Sequence, residues 1–494
     1  MTKSRSKEPG LKFLSESEID TLHKSSLDIL QNTGVIVDHG ELQRILSDEG
    51  AEINTEENIV KFPPVLIEKT IDRAPTGFKL YQRGRKSEEI TVEGNTLHTH
   101  TTGGPSYIWD LNSGKRRDAK LEDVKNGAKL VSSLDNIHAY SPLVSPTDAV
   151  SGAEAIEMVN AALRNTGKIV ENPVASGIEV EFFYRLFAAV AGSEEELKRN
   201  PSFTVSVSPI SPLTFDEQSA TALMKLAEKQ LPTKVLPAPT TGGTAPVTFA
   251  GAIAQQNAEL LAGLTILQSI TPGLPTVLAP RLSIMDMRTS YVSWGTPELG
   301  RASACAVQLL NNYDLPSDVY GLSSDAKIMD QQQGYEKAVN GLLPALSGAN
   351  FLSGGGGLES LKSCSLAQLI VDNEIFGMIL NTVDGFQINQ ETLGLDIIDS
   401  VGPGGDFLRE KHTAKFSRRG EQYEPTLSNR DTWEKWTVKG EKDITKVAKE
   451  KAKSILKSAP SPELGSETIK ELDRIMDDAR NYFKEEKMTN REEP

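Results

Sequence analysis

Seven short apolar runs recur along the middle of the chain at intervals of roughly 30 to 45 residues, the length of one βα unit. They are Ile137–Ser141, Lys168–Glu171, Phe203–Ser208, Lys234–Pro237, Thr276–Ala279, Val319–Ser323 and Asn350–Ser353. Helical patterns separate them over Gly152–Asn165, Asp216–Lys229, Phe249–Ile270, Pro297–Asn312 and Gln331–Leu343. Strands alternating with helices make a parallel sheet, because two parallel neighbours need a long crossover between them. Nearly every run ends in small or polar residues with proline, such as Ser208-Pro209, Pro237-Ala238-Pro239 and Pro280-Arg281. In a closed barrel all these ends meet on one face, where active sites are built, whereas in an open sheet they do not. The pattern therefore predicts an α/β TIM (β/α)8 barrel. An eighth strand is not evident, and the last one is expected to be irregular.

Outside the repeat the chain changes character. Ser15 with Glu18 three residues later is a capping box ahead of a helix that stops at Gly34. Short alternating runs from Phe78 to about Asp110, including Thr96-Leu97-His98-Thr99-His100, read as a small antiparallel β element. Residues 1–119 are thus expected to form an N-terminal helical and β cap, 120–401 the barrel, and 402–494 a C-terminal helical extension. In that extension Ile469, Leu472, Met476, Ala479 and Phe483 share one helical stripe, suited to packing on the barrel or on a neighbouring subunit. Two helices are expected there, separated by the segment 458–462 with its two prolines.

Composition excludes several function classes. A formal charge of -15 opposes nonspecific binding to nucleic acid or anionic lipid. No apolar run approaches the ~20 residues of a membrane span, and the charged start of the chain leads into no apolar signal region. A cytoplasmic protein with no nucleic-acid or membrane partner is expected, and a homo-oligomer. Cys305 and Cys364 stand outside any CxxC or Cys/His cluster, so both read as core thiols and no metal is expected. His98 and His100 alternate and so face one side of a strand, as a packed or surface pair.

The run Ser353-Gly354-Gly355-Gly356-Gly357-Leu358 follows a strand and precedes a helix-like segment. Four glycines together are expected where φ must be positive or something large must approach the backbone. Three further segments accompany it: Gly243-Thr244-Ala245-Pro246-Val247-Thr248-Phe249-Ala250-Gly251, Asp286-Met287-Arg288-Thr289, and Ser324-Asp325-Ala326-Lys327 with Gln333-Gly334-Tyr335-Glu336. In this order they resemble the trimethylamine methyltransferase family of corrinoid-dependent enzymes, with the similarity running from about residue 15 to 457. The resemblance implies a barrel that moves a methyl group from a methylated amine to the cobalt of a cognate corrinoid protein. No cofactor would be held tightly, since the corrinoid (cobalamin) is presented by that partner.

Archetypal members of the family carry pyrrolysine within the segment matching Tyr320 to Asp325, which here consists of standard residues. The chain is thus similar to the members that act on glycine betaine and related quaternary amines. Chemistry agrees, because a quaternary ammonium loses a methyl group to leave as a neutral tertiary amine. A free tertiary amine would have to depart as an anion unless it were protonated or captured.

Such a substrate needs a cation site and, for a betaine, an anion site. Aromatic faces bind quaternary ammonium groups at up to about 2 kcal/mol per contact. Tyr320, Phe351, Tyr107 and Trp109 are the candidates, each equally suited to core packing. Arg281 is the candidate partner of a carboxylate, or else the partner of Asp286 or another loop acid. Asp325 and Gln333 flank the pyrrolysine segment as candidate catalytic or orienting residues, with a helix cap as the other reading of Asp325. Glu336 is a substrate-binding candidate or a structural partner on the helix of Gln333. Gly354, Gly355, Gly356 and Gly357 are the expected corrinoid-facing surface. Two other classes fit a barrel: a Schiff-base lyase or aldolase using Lys168 or Lys234, and a non-enzymatic quaternary-amine binder.

Overall fold

The computed structural model describes residues 10–83, 88–459 and 462–492, with side chains to residue 485. The charged start of the chain and two residues of the 458–462 connector lie outside these. Eight parallel strands form the centre: β1 (His98–Thr101), β2 (Ala139–Tyr140), β3 (Ile169–Pro173), β4 (Phe203–Val207), β5 (Thr233–Val235), β6 (Thr276–Leu278), β7 (Asp318–Tyr320) and β8 (Phe351–Gly355). Their order in the sheet is β6-β5-β4-β3-β2-β1-β8-β7. A parallel bridge between Leu278 and Ser317 joins its two ends. The barrel expected from the repeat is present, and all seven predicted strands belong to it.

The missing strand is the first one, not the last. His98–Thr101 pairs parallel with β8 and β2, so the barrel begins inside the residues 1–119 assigned to the cap. It lacks the apolar signature of the other seven because its positions serve hydrogen bonds rather than hydrophobic packing. Thr101 Oγ1 donates to the Ser141 carbonyl at 2.6 Å, and its oxygen accepts from Ser141 N–H at 2.9 Å. The antiparallel expectation holds for the neighbouring hairpin Gly77–Tyr81 with Glu89–Glu93. Leu80, Ile90 and Val92 of this hairpin pack with Ala139, Ile169 and Phe351, forming an apolar plug at the N-terminal end of the barrel.

Ser15 caps the first helix, Glu16–Asp28, through the reciprocal capping box with Glu18. That helix packs on Phe249–Ile270, whose circumference is apolar or buried almost throughout, as suits a helix covered on all sides. Ser26 fixes the contact, donating to the Ala254 carbonyl at 2.9 Å and accepting from Asn257 at 3.0 Å. The last helix, Ser466–Glu492, buries Leu472, Ile475, Met476, Ala479 and Phe483 and packs on this chain's own helices Glu154–Asn165 and Gly177–Ala191. Ile469, expected in that stripe, is exposed at 39%. No helix among the described residues is long and apolar enough to cross a membrane.

Candidate active site

A cavity of about 610 Å³ opens at the C-terminal ends of the strands. Its floor is a layer of ionisable side chains taken from alternate strands: His100 of β1 and Glu171 of β3, which line it, with Lys234 of β5 and Asp318 of β7 in contact with them. Alternate strands in a barrel contribute inward residues at the same height, which is why positions so far apart in sequence meet. Lys234 Nζ lies 2.6 Å from Asp318 Oδ2 and closer still to Glu171 Oε2. His100 Nε2 is 3.2 Å from Asp318. Arg281, just beyond β6, places Nη2 2.7 Å from Asp318 Oδ1. Both carboxylates, both cations and the imidazole are buried.

Burial alone would neutralise these groups, so their charges persist only through one another. Burial opposes ionisation of Asp318, but Arg281, Lys234 and His100 outweigh it and hold its pKa well below the usual carboxylate range. Burial likewise opposes the charge of Lys234, and Asp318 with Glu171 outweigh it, holding its pKa above the ordinary lysine value. His100, Glu171 and Asp318 bring their ligating atoms within 4.8 Å of one another, a spacing compatible with a metal ion. Lys234 Nζ already lies between the two carboxylates there, so the cation those groups favour is supplied by the chain itself.

Above the floor stands Tyr320, at the end of β7. Its ring packs over the Arg281 guanidinium at 4.7 Å and meets Trp294 edge-on at 4.9 Å. Three carboxylates line the outer part of the cavity: Glu154, Glu179 and Asp216. Glu179 accepts from Ala175 N–H at 2.6 Å, and burial raises its pKa, with Glu154 adding like charge. Glu154 accepts from Gly152 N–H at 2.7 Å, and Asp216 caps the helix Glu217–Glu228. Among the described residues none of the three pairs with lysine or arginine. The geometry provides a small half-enclosed chamber with an acidic rim, one aromatic face and a rigid ionic floor.

A family model described as trimethylamine methyltransferase (MTTB) matches residues 1–482. The chain belongs to that family. It is 32% identical over 478 residues to the trimethylamine methyltransferase of Methanosarcina barkeri, covering 96% of each chain. It is 32% identical over 466 residues to that of Desulfitobacterium hafniense strain DSM 10664 / DCB-2, covering 94% of this chain and 93% of the relative. It is 30% identical over 430 residues to the glycine betaine methyltransferase of Desulfitobacterium hafniense strain Y51, covering 87% of this chain and 89% of the relative. This MTTB protein is accordingly a one-carbon transferase.

Within this MTTB barrel, Arg281 and Tyr320 line the cavity as expected. The acid that pairs Arg281 is Asp318 rather than Asp286, which instead binds Arg288 at 2.8 Å on the surface. Phe351 is not in the chamber. It lies beneath the ionic floor, with Lys234 Nζ 4.6 Å from its ring centroid, and belongs to the apolar plug. Tyr107 also lies elsewhere, under the Arg116 guanidinium at 3.6 Å on a small sheet with Trp109. These aromatics follow strand packing, which uses the same residue types as an ammonium cage.

Asp325 and Glu336 hold loops together. Asp325 accepts from Trp294 N–H at 2.9 Å, from Ser360 Oγ at 2.6 Å and from Ser293 Oγ. Glu336 accepts from Asp325 N–H at 2.8 Å and from Ser324 Oγ at 2.6 Å. Gln333 accepts from Gln368 Nε2 at 2.8 Å, and Gln368 also donates to Asp372.

The four glycines do not present bare backbone to solvent. All are buried, and a Cβ on Gly354 would lie 2.6 Å from the Leu322 carbonyl oxygen; one on Gly356 would lie 2.8 Å from Leu143. Gly354 and Gly356 have φ of 108° and 87°, so two of the four adopt the positive φ that was one of the two reasons to expect glycine here. What approaches them closely is the protein's own interior. Gly356 N–H donates to Asp372 at 2.6 Å, and Asp372 pairs with the buried Lys337 at 2.7 Å.

The lysines proposed for Schiff-base chemistry are both engaged. Lys234 is held charged between two carboxylates, which removes the lone pair an imine requires. Lys168 Nζ donates to the carbonyls of Leu134 and Ile137. The residues that sequence reasoning missed are His100, Glu171 and Asp318 of the floor and Glu154, Glu179 and Asp216 of the rim. The available signal was a charged residue inside a strand pattern, as in Val170-Glu171 and Asp318-Val319.

Proposed function

We propose that the protein removes a methyl group from a quaternary amine and passes it to cobalt(I) in a corrinoid carried by a separate protein. The observation that carries the reading is an MTTB chain with only standard residues from Tyr320 to Asp325. The corrinoid is a substrate here, and its cobalt(I) supplies the nucleophilic electron pair. As the methyl carbon bonds to cobalt, the carbon–nitrogen bond breaks with both electrons on nitrogen, and a neutral tertiary amine departs. No proton has to move, so no general acid or base is required of the floor.

The chain's own contribution is placement and shielding. The cation is drawn by the acidic rim and by the face of Tyr320, while the interlocked floor cannot yield to solvent or rearrange around it. Access fits the loop after β1: Gly103 and Gly104 line the cavity, and a Cβ on Gly104 would meet nothing within 4 Å. That open backbone is the side from which a large acceptor has room to approach. The test is methylation of free cob(I)alamin by the purified protein with a panel of quaternary amines and with trimethylamine. Quaternary amines are expected to react much faster. Equal rates with trimethylamine would refute the reading.

A further inference from the structure

Among the described residues the cavity has no cation left for a substrate carboxylate. Arg281 and Lys234 are the cationic side chains beside it, and both are spent on Asp318 and Glu171. Both terminal nitrogens of Arg281 are engaged: Nη2 by the Asp318 carboxylate, Nη1 by the carbonyls of Asp318 and Pro280. With His100 neutral the floor carries no net charge, and with His100 protonated it carries one positive charge. Against this stand Glu154, Glu179 and Asp216 at the rim, held by backbone and hydroxyl donors and by no lysine or arginine among the described residues. The chamber as a whole is therefore negative.

A second, independent feature lies in the same wall. Asn172, at the end of β3, lines the cavity and is 2% exposed. Its amide nitrogen donates to the Pro173 carbonyl at 2.8 Å, which fixes the orientation of the amide, and its Oδ1 accepts from nothing among the described residues. A buried acceptor without a donor costs free energy unless a bound group supplies one. Neither a trimethylammonium group nor a carboxylate offers such a hydrogen.

We propose that this site selects a quaternary ammonium with net positive charge and a hydroxyl or amide donor, a choline-like cation, over a carboxylate-bearing betaine. The ammonium lies towards the acidic rim and the donor reaches Asn172. The proposal rests on the quaternary-amine reading above and narrows its substrate class.

Titration calorimetry of the full chain with choline, propyltrimethylammonium and glycine betaine reads recognition without turnover. Choline is expected to bind at least about tenfold more tightly than glycine betaine. It should also bind roughly three- to tenfold more tightly than propyltrimethylammonium, in which a methyl replaces the hydroxyl. Asn172→Ala should erase the second ratio and shrink the first by the same factor, since only choline loses a bond. Glu179→Gln, with Glu154→Gln as a second variant should the first melt early, should shrink the first ratio by weakening choline. Betaine binding as tightly as choline, a hydroxyl preference untouched in Asn172→Ala, or no binding of choline would each overturn the proposal.

Parallel cob(I)alamin methylation separates the two levels of inference. Faster methylation by glycine betaine than by choline sinks this proposal and leaves the reaction standing. Tightest binding of choline with no methylation by any quaternary amine sustains the recognition and sinks the reaction.

Discussion

Asp318 is the anion on which the barrel floor depends, and Asp318→Asn keeps its shape while removing its charge. In the parent it faces Lys234 Nζ at 2.6 Å, Arg281 Nη2 at 2.7 Å and His100 Nε2 at 3.2 Å. After the change Lys234 retains only Glu171 as an anionic partner, and the Arg281 guanidinium retains none, keeping backbone carbonyls and at most a neutral amide oxygen. Two buried cations then share one anion. Breaking a buried pair by removing one partner costs about 3 to 5 kcal/mol, and the upper part of that range applies because two pairs are broken at once. This is a large share of the roughly 5 to 15 kcal/mol that separates a folded domain from its unfolded chain. Urea unfolding followed by far-ultraviolet circular dichroism should show a midpoint lowered accordingly at an unchanged slope. Adding Arg281→Met to Asp318→Asn should recover part of the loss, because it removes a stranded cation and leaves Lys234 with Glu171 as a balanced pair. A single variant within about 1 kcal/mol of the parent, or strictly additive losses in the double variant, would refute the claim that the floor is one coupled unit.

The pH dependence of the parent follows from the same groups. Asp318 has a depressed pKa, so its stabilisation is present above the ordinary carboxylate range and is lost only as pH falls through its low folded value. Lys234 has a raised pKa, so its share is present below the ordinary lysine value and is lost as pH rises through the higher folded one. The contribution of Asp318 and Lys234 to melting temperature should therefore stay flat across neutral pH in the parent, and Asp318→Asn should lose part of the acid-side slope. Gly354→Ala should destabilise by about 1 to 3 kcal/mol, since its φ of 108° and a Cβ 2.6 Å from the Leu322 oxygen leave no relaxed position. Amine affinity should fall only as folding does, and a stable variant with selectively lost methyl transfer would return the glycines to the acceptor face. Asp325→Ala should accelerate hydrogen exchange at the Trp294 amide by unfastening it, while Asp325→Asn retains an acceptor and much of the protection.

Seven strands were legible because each is an apolar run closed by a polar or proline-bearing end, and burial on both faces of a parallel sheet demands that composition. The eighth, His98-Thr99-His100-Thr101, violates it for a local reason. Its side chains are spent on hydrogen bonds to Ser141, just beyond β2, and on the ionic floor, so it carries the site's chemistry instead of the core's apolar mass. The site itself was half legible. Arg281 and Tyr320 stand at strand ends, and position in the repeat is enough to find such residues. Which acid meets Arg281 is a question of barrel height and of which strands share a layer, and linear spacing does not encode it. The glycines show the same limit from the other side. Composition foretold that something presses on their backbone, and a positive φ required glycine, but the pressing groups are Leu322, Leu143 and Phe376 from distant elements. A sequence records that space is scarce at a position; only the packed barrel decides whether a ligand or the protein's own core fills it.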